Sequence, residues 1–462
     1  MSNDRKVLVI GLDCATPQLV FDQWKDKLPN LGKLIDGGSY GELESTIPPI
    51  TVPAWMSMVT SKDPGTLGFY GFRNRKNYSY DEMFFATSTV VKEKTAWDIL
   101  SEQGKKSIVV GVPPAYPPKP LNGNLLSCFL TPGPESDYTY PKELKSEIVT
   151  NCGGYIFDVM NFRTEDKEKL LRDIDELAEN RFGVTKYLMQ NKDWDFCMFV
   201  EMGVDRIHHG FWKYFDKQHV LYEPGSKYES AVEDFYIKID QMIGDLLSIA
   251  GDDTVVLVVS DHGAKRMDGG LCFNEWLMRE GFLTLKQKPE GRMQVKHDNI
   301  DWSKTKAWGS GGYYGRLFMN VQGREPHGII PKEDYEKVRS ELVEKLEALT
   351  DMHGKVMGTR AYRPEEIYST VNNIAPDLIV LFGDLFWRSV GTVGFGTIHT
   401  LENDTGPDDA NHAQHGIFIK YDPRGEGTKG ELEGLHLMDV APTILSLFGI
   451  EPPKDMKGKI IQ

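Results

Sequence analysis

Short, unbroken apolar runs rich in β-branched residues recur along the chain, at 6–12, 107–112, 196–201, 255–260, 317–321, 378–382 and 416–420. An apolar run without polar alternation suits a strand buried on both faces. Longer stretches with helical periodicity separate several of these runs, notably 164–190, 228–250 and 332–349. Shorter helices are expected at 15–23 and 29–36, the second running into Gly37-Gly38, since a helix C-terminus favours glycine. Strands interleaved with helices predict an α/β fold, with a mostly parallel central sheet covered by helices on both faces. In such sheets ligands collect outside the carboxyl ends of the strands. Two stretches break the rhythm: 113–160 is rich in Pro, Gly and Tyr, and 283–315 is polar and carries Gly309 to Gly312. Both are expected as insertions over the core. The expected organisation is therefore one domain over 1–462, with cap or lid segments at about 113–190 and 266–375.

Composition narrows the partners. Hydrophobic residues at 40% and charged residues at 26% fit a globular chain. A formal net charge of −15 argues against a general nucleic-acid binder. Any anionic ligand must then meet a locally positive site, which bound metal ions would supply. Cys14, Cys128, Cys152, Cys197 and Cys272 are scattered and lack C-x-x-C spacing, which favours free thiols in a cytoplasmic protein. The run Val7-Leu8-Val9-Ile10 is short, and no small-residue cleavage site follows it, so it reads as a first strand rather than a signal peptide. No run approaches the roughly 18 apolar residues of a membrane helix.

The chemistry is suggested by where Asp and His fall. Asp13 follows the first strand; Asp205 and His209 form a D-x-x-x-H pair after 196–201; Asp261-His262-Gly263 ends 255–260; His412 precedes 416–420. Each has an ordinary alternative. A strand-ending Asp caps helices or turns, and D-x-x-x-H also serves as an i,i+4 surface pair. Together they bring carboxylates and imidazoles from several strands to sheet ends, a donor set suited to zinc, manganese or iron. Two such ions about 3.5–4 Å apart clamp a phosphoryl group. A nucleophile candidate lies in Pro48-Pro49-Ile50-Thr51-Val52-Pro53-Ala54-Trp55. Pro53 suits a first helical turn, which puts Thr51 at or just before the helix N-terminus. Free N–H groups and the dipole there favour phosphate, and metal coordination activates a hydroxyl. The alternative is a plain Thr cap. Lys62, Arg73 and Asn77 follow this helix and either reach substrate or belong to a solvated face.

The combination of strand-ending Asp13, P-P-x-T-x-P-A-W, D-x-x-x-H, S-D-H-G at Ser260 to Gly263, the late His412 and the closing stretch from Leu435 resembles the type I phosphodiesterase/nucleotide pyrophosphatase branch of the alkaline phosphatase superfamily. The resemblance covers nearly the whole chain. It implies an alkaline-phosphatase-like α/β sandwich and two divalent ions, zinc or manganese. One ion would be held by Asp13, Thr51, Asp261 and His262, and the other by Asp205, His209 and His412, with His415 the alternative to His412. His208 would support or pack. It further implies attack by Thr51 on phosphorus, a phospho-threonine intermediate, and its hydrolysis by water. The substrate would be a small phosphate ester, with a phosphodiester or nucleotide pyrophosphate favoured because no arginine clamp for a dianionic monoester is evident. A phosphomonoesterase or a phosphotransferase/mutase on the same site is the alternative. A sulfatase is disfavoured because C/S-x-P-x-R is replaced by Thr51-Val52-Pro53-Ala54-Trp55, and a silent binding protein is disfavoured by the full ligand set.

Overall fold

The computed structural model describes residues 5–462. Lys6–Leu12 lies at the centre of the main sheet, parallel to Phe196–Glu201 on one side and Thr254–Val259 on the other. All of Phe196–Glu201 and Thr254–Val259 is buried. Their β-branched and aromatic side chains each contribute about 1.5–3 kcal/mol by leaving water. Across the sheet the strands run Gly430–Glu431, Ser39–Glu44, His415–Tyr421, Thr254–Val259, Lys6–Leu12, Phe196–Glu201, Ser107–Val110, Gly123–Leu126 and Thr139–Tyr140. The four strands from Thr254–Val259 to Ser107–Val110 are mutually parallel, whereas His415–Tyr421 is antiparallel to both its neighbours.

Lys167–Asn191 packs on Gly203–Phe215 and Ala231–Ala250, while Val440–Leu447 packs on Thr51–Thr60 and Ala96–Glu102. Both helix groups share one apolar core with the sheet, giving the expected α/β sandwich. Two glycines permit close approaches that any Cβ would block. A Cβ at Gly11 would lie 2.7 Å from Cη2 of Trp55, so the bare backbone lets that indole sit against the first strand. At Gly38 the backbone is extended, not left-handed, and a Cβ would meet the Lys420 carbonyl oxygen at 2.1 Å.

Three expectations change. The runs at 317–321 and 378–382 do not join the central sheet. They fall in Gly315–Met319 and Leu378–Leu381 of a separate antiparallel sheet with Ala307–Ser310 and Arg360–Tyr362, which shares a second apolar core with Tyr335–Glu347. An apolar run records burial on both faces and not which sheet supplies the cover. Nor is 113–190 a lid. Gly123–Leu126 and Thr139–Tyr140 extend the central sheet, and Leu170, Ile174 and Leu177 enter the main core. The expected helix at 15–23 is instead a π-helical turn, Gln18–Gln23, leading into the short turn Lys25–Lys27.

Candidate active site

The parallel strands end on one edge of the sheet, and the loops leaving them carry the acidic and imidazole groups. Asp13 is tied there by its N–H to the carbonyl of Glu201, 3.0 Å away on the adjacent strand. Trp55 Nε1, seated over Gly11, donates to Asp13 Oδ2 at 2.7 Å and so aims Oδ1 inward. Asp261 closes Thr254–Val259 one residue on from Ser260 and accepts from the Cys14 N–H at 3.3 Å. Asp205 and His209 lie a turn apart on Gly203–Phe215. The antiparallel ribbon of Gly263–Arg266 with Ala410–Ala413 sets His412 opposite Ala264, and its ring stacks on His262 with centroids 3.8 Å apart. Thr51 is the first residue of the buried helix Thr51–Thr60, its Oγ1 3.3 Å from His262 Nε2.

The histidines share one arrangement. Nδ1 of His209 lies 2.6 Å from Asp408 Oδ1, that of His262 lies 3.2 Å from the Gly263 carbonyl, and that of His412 lies 2.8 Å from the Pro49 carbonyl. An acceptor at Nδ1 fixes the proton there and leaves the Nε2 lone pair free, as metal-binding histidines require. Asp13 Oδ1, Asp205 Oδ1, Asp261 Oδ2, His209 Nε2 and His412 Nε2 are buried without a hydrogen-bond partner among the described residues. Each such orphan costs about 1–3 kcal/mol. Their spacing is short: His209 Nε2 to Asp205 Oδ1 3.2 Å, His412 Nε2 to Asp205 Oδ1 3.7 Å, His262 Nε2 to Asp261 Oδ2 3.2 Å and to Asp13 Oδ1 3.7 Å. Donors that each sit about 2.0–2.2 Å from a common ion stand apart by such distances. Atoms of Asp13, Asp261 and His262, and of Asp205, His262 and His412, lie within 4.8 Å of one another. The residues suit divalent metal binding, and the two groups share His262.

Electrostatics agree. Burial and the nearby Asp205 carboxylate push Asp13 well above the usual carboxylate range, and burial with Asp13 does the same to Asp261. Burial also disfavours ionised Asp205, but His209 and Arg206 outweigh it and hold that carboxyl low. Asp13 and Asp261 thus lack the cationic partners that Asp205 has, which bound cations would supply. Burial lowers His262 to about 4, whereas at His209 the carboxylates of Asp408 and Asp205 overcome burial and raise it to about 9.

All seven sequence-predicted residues, Asp13, Thr51, Asp205, His209, Asp261, His262 and His412, come to this one place. His415 does not: it is exposed at the start of its strand, opposite Glu44. His208 is buried away from the cluster, Nε2 3.1 Å from the Tyr236 hydroxyl. Lys62 pairs with Asp455 at 2.7 Å, and Asn77 closes a turn onto the Ser79 N–H. Arg73 does reach a cavity.

That cavity, of about 670 Å³, adjoins the cluster through Ile50 and through Tyr313, whose ring stacks on His209 at 4.8 Å and His412 at 4.2 Å. Arg73, Arg75, Arg163, Arg316 and Arg388 line it. No arginine clamp is evident in the sequence, yet the fold gathers here the local pair Arg73 and Arg75 with Arg163, Arg316 and Arg388 from distant segments. Asp408, which orients His209, was also missed, although the run Asp408-Asp409-Ala410-Asn411-His412 marks its neighbourhood.

No curated protein sequence matches the chain. Among solved structures, phosphonoacetate hydrolase from Sinorhizobium meliloti 1021, in complex with phosphonoformate, is 14% identical with a TM-score of 0.61, covering 96% of each chain. An inactive variant of murine ectonucleotide pyrophosphatase/phosphodiesterase 5, in complex with AMP, is 13% identical with a TM-score of 0.55, covering 96% of this chain and 95% of that one. At such identity the likeness is one of fold. The family model of type I phosphodiesterase / nucleotide pyrophosphatase matches residues 7–408. The chain belongs to that family, one of phosphoric ester hydrolases.

Proposed function

We propose that the protein hydrolyses phosphodiester or nucleotide pyrophosphate bonds through a phospho-threonine intermediate on Thr51, at a site holding two divalent ions of the zinc or manganese type. The observation that carries this reading is the convergence of unpartnered, buried Asp and His atoms beside the Thr51 hydroxyl. Asp13, Asp261 and His262 would hold one ion with Thr51, and Asp205, His209 and His412 the other. Bound there, the ions would supply Lewis acidity and neutralise the phosphoryl oxygens.

The chain's own residues supply position. Thr51 opens a rigid helix that is buried along its whole length, so its Oγ1 is held in one place for attack on phosphorus. The helix N-terminus favours the anionic phosphoryl group beside it. The Oγ1–P bond forms as the bond to the leaving alcohol or nucleotide breaks; water then attacks the phospho-threonine and restores the hydroxyl. Thr51 itself is only 4% exposed, which limits competing water. The murine and bacterial relatives, in complex with AMP and phosphonoformate, support a small phosphorus-containing anion as ligand. No described helix is long and apolar enough to cross a membrane, and the five cysteines are free, as suits a cytoplasmic setting.

The test is a side-by-side assay of p-nitrophenyl phosphate, bis-p-nitrophenyl phosphate and a nucleotide pyrophosphate, after chelation and after return of Zn or Mn. Chelation abolishes turnover, either metal restores it, and the diester and pyrophosphate show the higher kcat/KM. Full activity in protein proven metal-free by elemental analysis refutes the reading. A monoester preference across several leaving groups moves the protein to the phosphomonoesterase or phosphotransferase alternative.

A further inference from the structure

The cavity beside the metal cluster carries more positive charge than its walls neutralise. Arg75 is matched by the buried Glu325 at 3.1 Å. Arg163 and Arg388 share a single carboxylate, Asp408, at 2.9 and 3.3 Å, and His209 draws on the same group. Arg388 is 3% exposed and its Nε has no hydrogen-bond partner among the described residues. Among the described residues Arg316 bonds only neutral acceptors, the Arg73 carbonyl and the Ser310 hydroxyl, the latter at 2.8 Å. Arg73 stands over the Phe85 ring at 5.1 Å. The one carboxylate on the wall, Asp404, accepts from Thr392 and the Gly391 N–H through Oδ2 and acts on Arg388 only at longer range, so it offsets one of the positive charges.

A chain of net charge −15 gathers this surplus in no general way, and a buried, under-paired guanidinium is costly unless an anion completes it. The surplus is graded. Arg163 and Arg388, each 5.5 Å from the Tyr313 ring centroid, adjoin the metal cluster, whereas Arg316 is held by Ser310 on a separate strand. The walls also carry the aromatic rings of Tyr80 and Trp308. A volume of about 670 Å³ is ample for one substituent of a small substrate.

We propose that this cavity is a subsite for a second anionic group, so that the substrate is a phosphodiester or pyrophosphate one of whose arms ends in a phosphate or carboxylate. The inference rests on the diesterase reading and names the substrate class within it. Fork-shaped guanidinium donors bind either anion through paired, charge-assisted hydrogen bonds.

The test uses the metal-loaded, full-length protein and p-nitrophenyl alkyl phosphodiesters of equal arm length, ending in a methyl group, a carboxylate or a phosphate. The wild type should prefer a charged arm over the methyl arm by roughly tenfold to hundredfold in kcat/KM, and the better charged arm identifies the group. Arg316→Gln should collapse that ratio at least about tenfold, with Arg316→Lys recovering part of it. The ratio is taken within each variant, so a general loss of activity cancels. Arg73→Gln, on the exposed ribbon, gives a second reading independent of the folding of buried-site variants, and salt should erode the preference. Turnover of all three diesters with no preference for charge, or an unchanged ratio in both variants, overturns the subsite while leaving the diesterase reading intact. No turnover of any diester refutes that reading, and the subsite falls with it.

Discussion

Replacing Asp408 with asparagine keeps the side-chain shape and removes one charge from a place where three cationic or proton-bearing groups meet. Asp408 Oδ1 faces His209 Nδ1 at 2.6 Å, and Oδ2 faces Arg163 Nε at 2.9 Å and Arg388 Nη1 at 3.3 Å, with no solvent exposure of the carboxylate. All three neighbours are donors, so an amide NH₂ at either end meets a donor. If the amide oxygen turns to the arginines, the NH₂ meets Nδ1 of His209 and drives the ring to the tautomer with its proton on Nε2, toward the metal site. If it turns to His209, the NH₂ faces the half-buried Arg163 and the buried Arg388, which in either orientation lose the charge of the carboxylate they share.

Loss of an orienting partner behind a metal-binding histidine costs about tenfold to hundredfold in metal affinity or activity. Loss of the buried counter-charge costs on the order of 3–5 kcal/mol of stability. An opposing effect acts through protons. With His209 raised to about 9 by Asp408 and Asp205 against burial, a proton must leave when an ion binds. Affinity in the wild type therefore falls by roughly fiftyfold between pH 9 and pH 7. Asparagine weakens that competition, so the two effects partly cancel at pH 7 and the deficit of Asp408→Asn opens above pH 9. Competition against a chromophoric zinc chelator at pH 7 and pH 9.5, with a thermal melt of the metal-free protein, measures both. A folded variant with wild-type affinity and the same pH slope would show that Asp408 does not position His209.

Thr51→Ala should lower kcat by several orders of magnitude while Thr51→Ser retains substantial activity, and acid quench of the wild type should leave phosphate on the peptide containing Thr51; wild-type turnover by the alanine variant would make direct attack by water the mechanism. His412→Ala should lose metal and activity, whereas His415→Ala, at an exposed position, should stay near wild type; elemental analysis and turnover rank them, and the reverse order would refute the geometry. Burial raises Asp409 to about 7 despite Lys167 and Lys213. Between about pH 4 and pH 7 the folded state thus holds a proton that the unfolded chain has released, so stability falls as pH rises through that window. Asp409→Asn should flatten the slope and be the more stable protein at pH 8 in urea unfolding by up to about 4 kcal/mol; equal slopes would contradict this.

Much of the site lay open in the sequence because its geometry is local. A buried parallel strand delivers the residue after its last apolar position to the carboxyl edge, so Asp13, Asp261 and His262 are placed by the strands they end. Helical periodicity sets Asp205 and His209 one turn apart, and Pro53 marks the helix that Thr51 opens. Other features depend on contacts between distant segments. The pairing of His412 with Ala264, the indole of Trp55 over Gly11, and the carboxylate of Asp408 behind His209 follow from strand register and packing. No apolar period records these. The runs at 317–321 and 378–382 declare that they are buried but not in which sheet, since two apolar covers look alike from within a strand. The arginines of the cavity are the extreme case. Apart from the local pair Arg73 and Arg75, they are scattered charges in an acidic chain, and only the folding of the second sheet against the catalytic edge turns them into one positive wall.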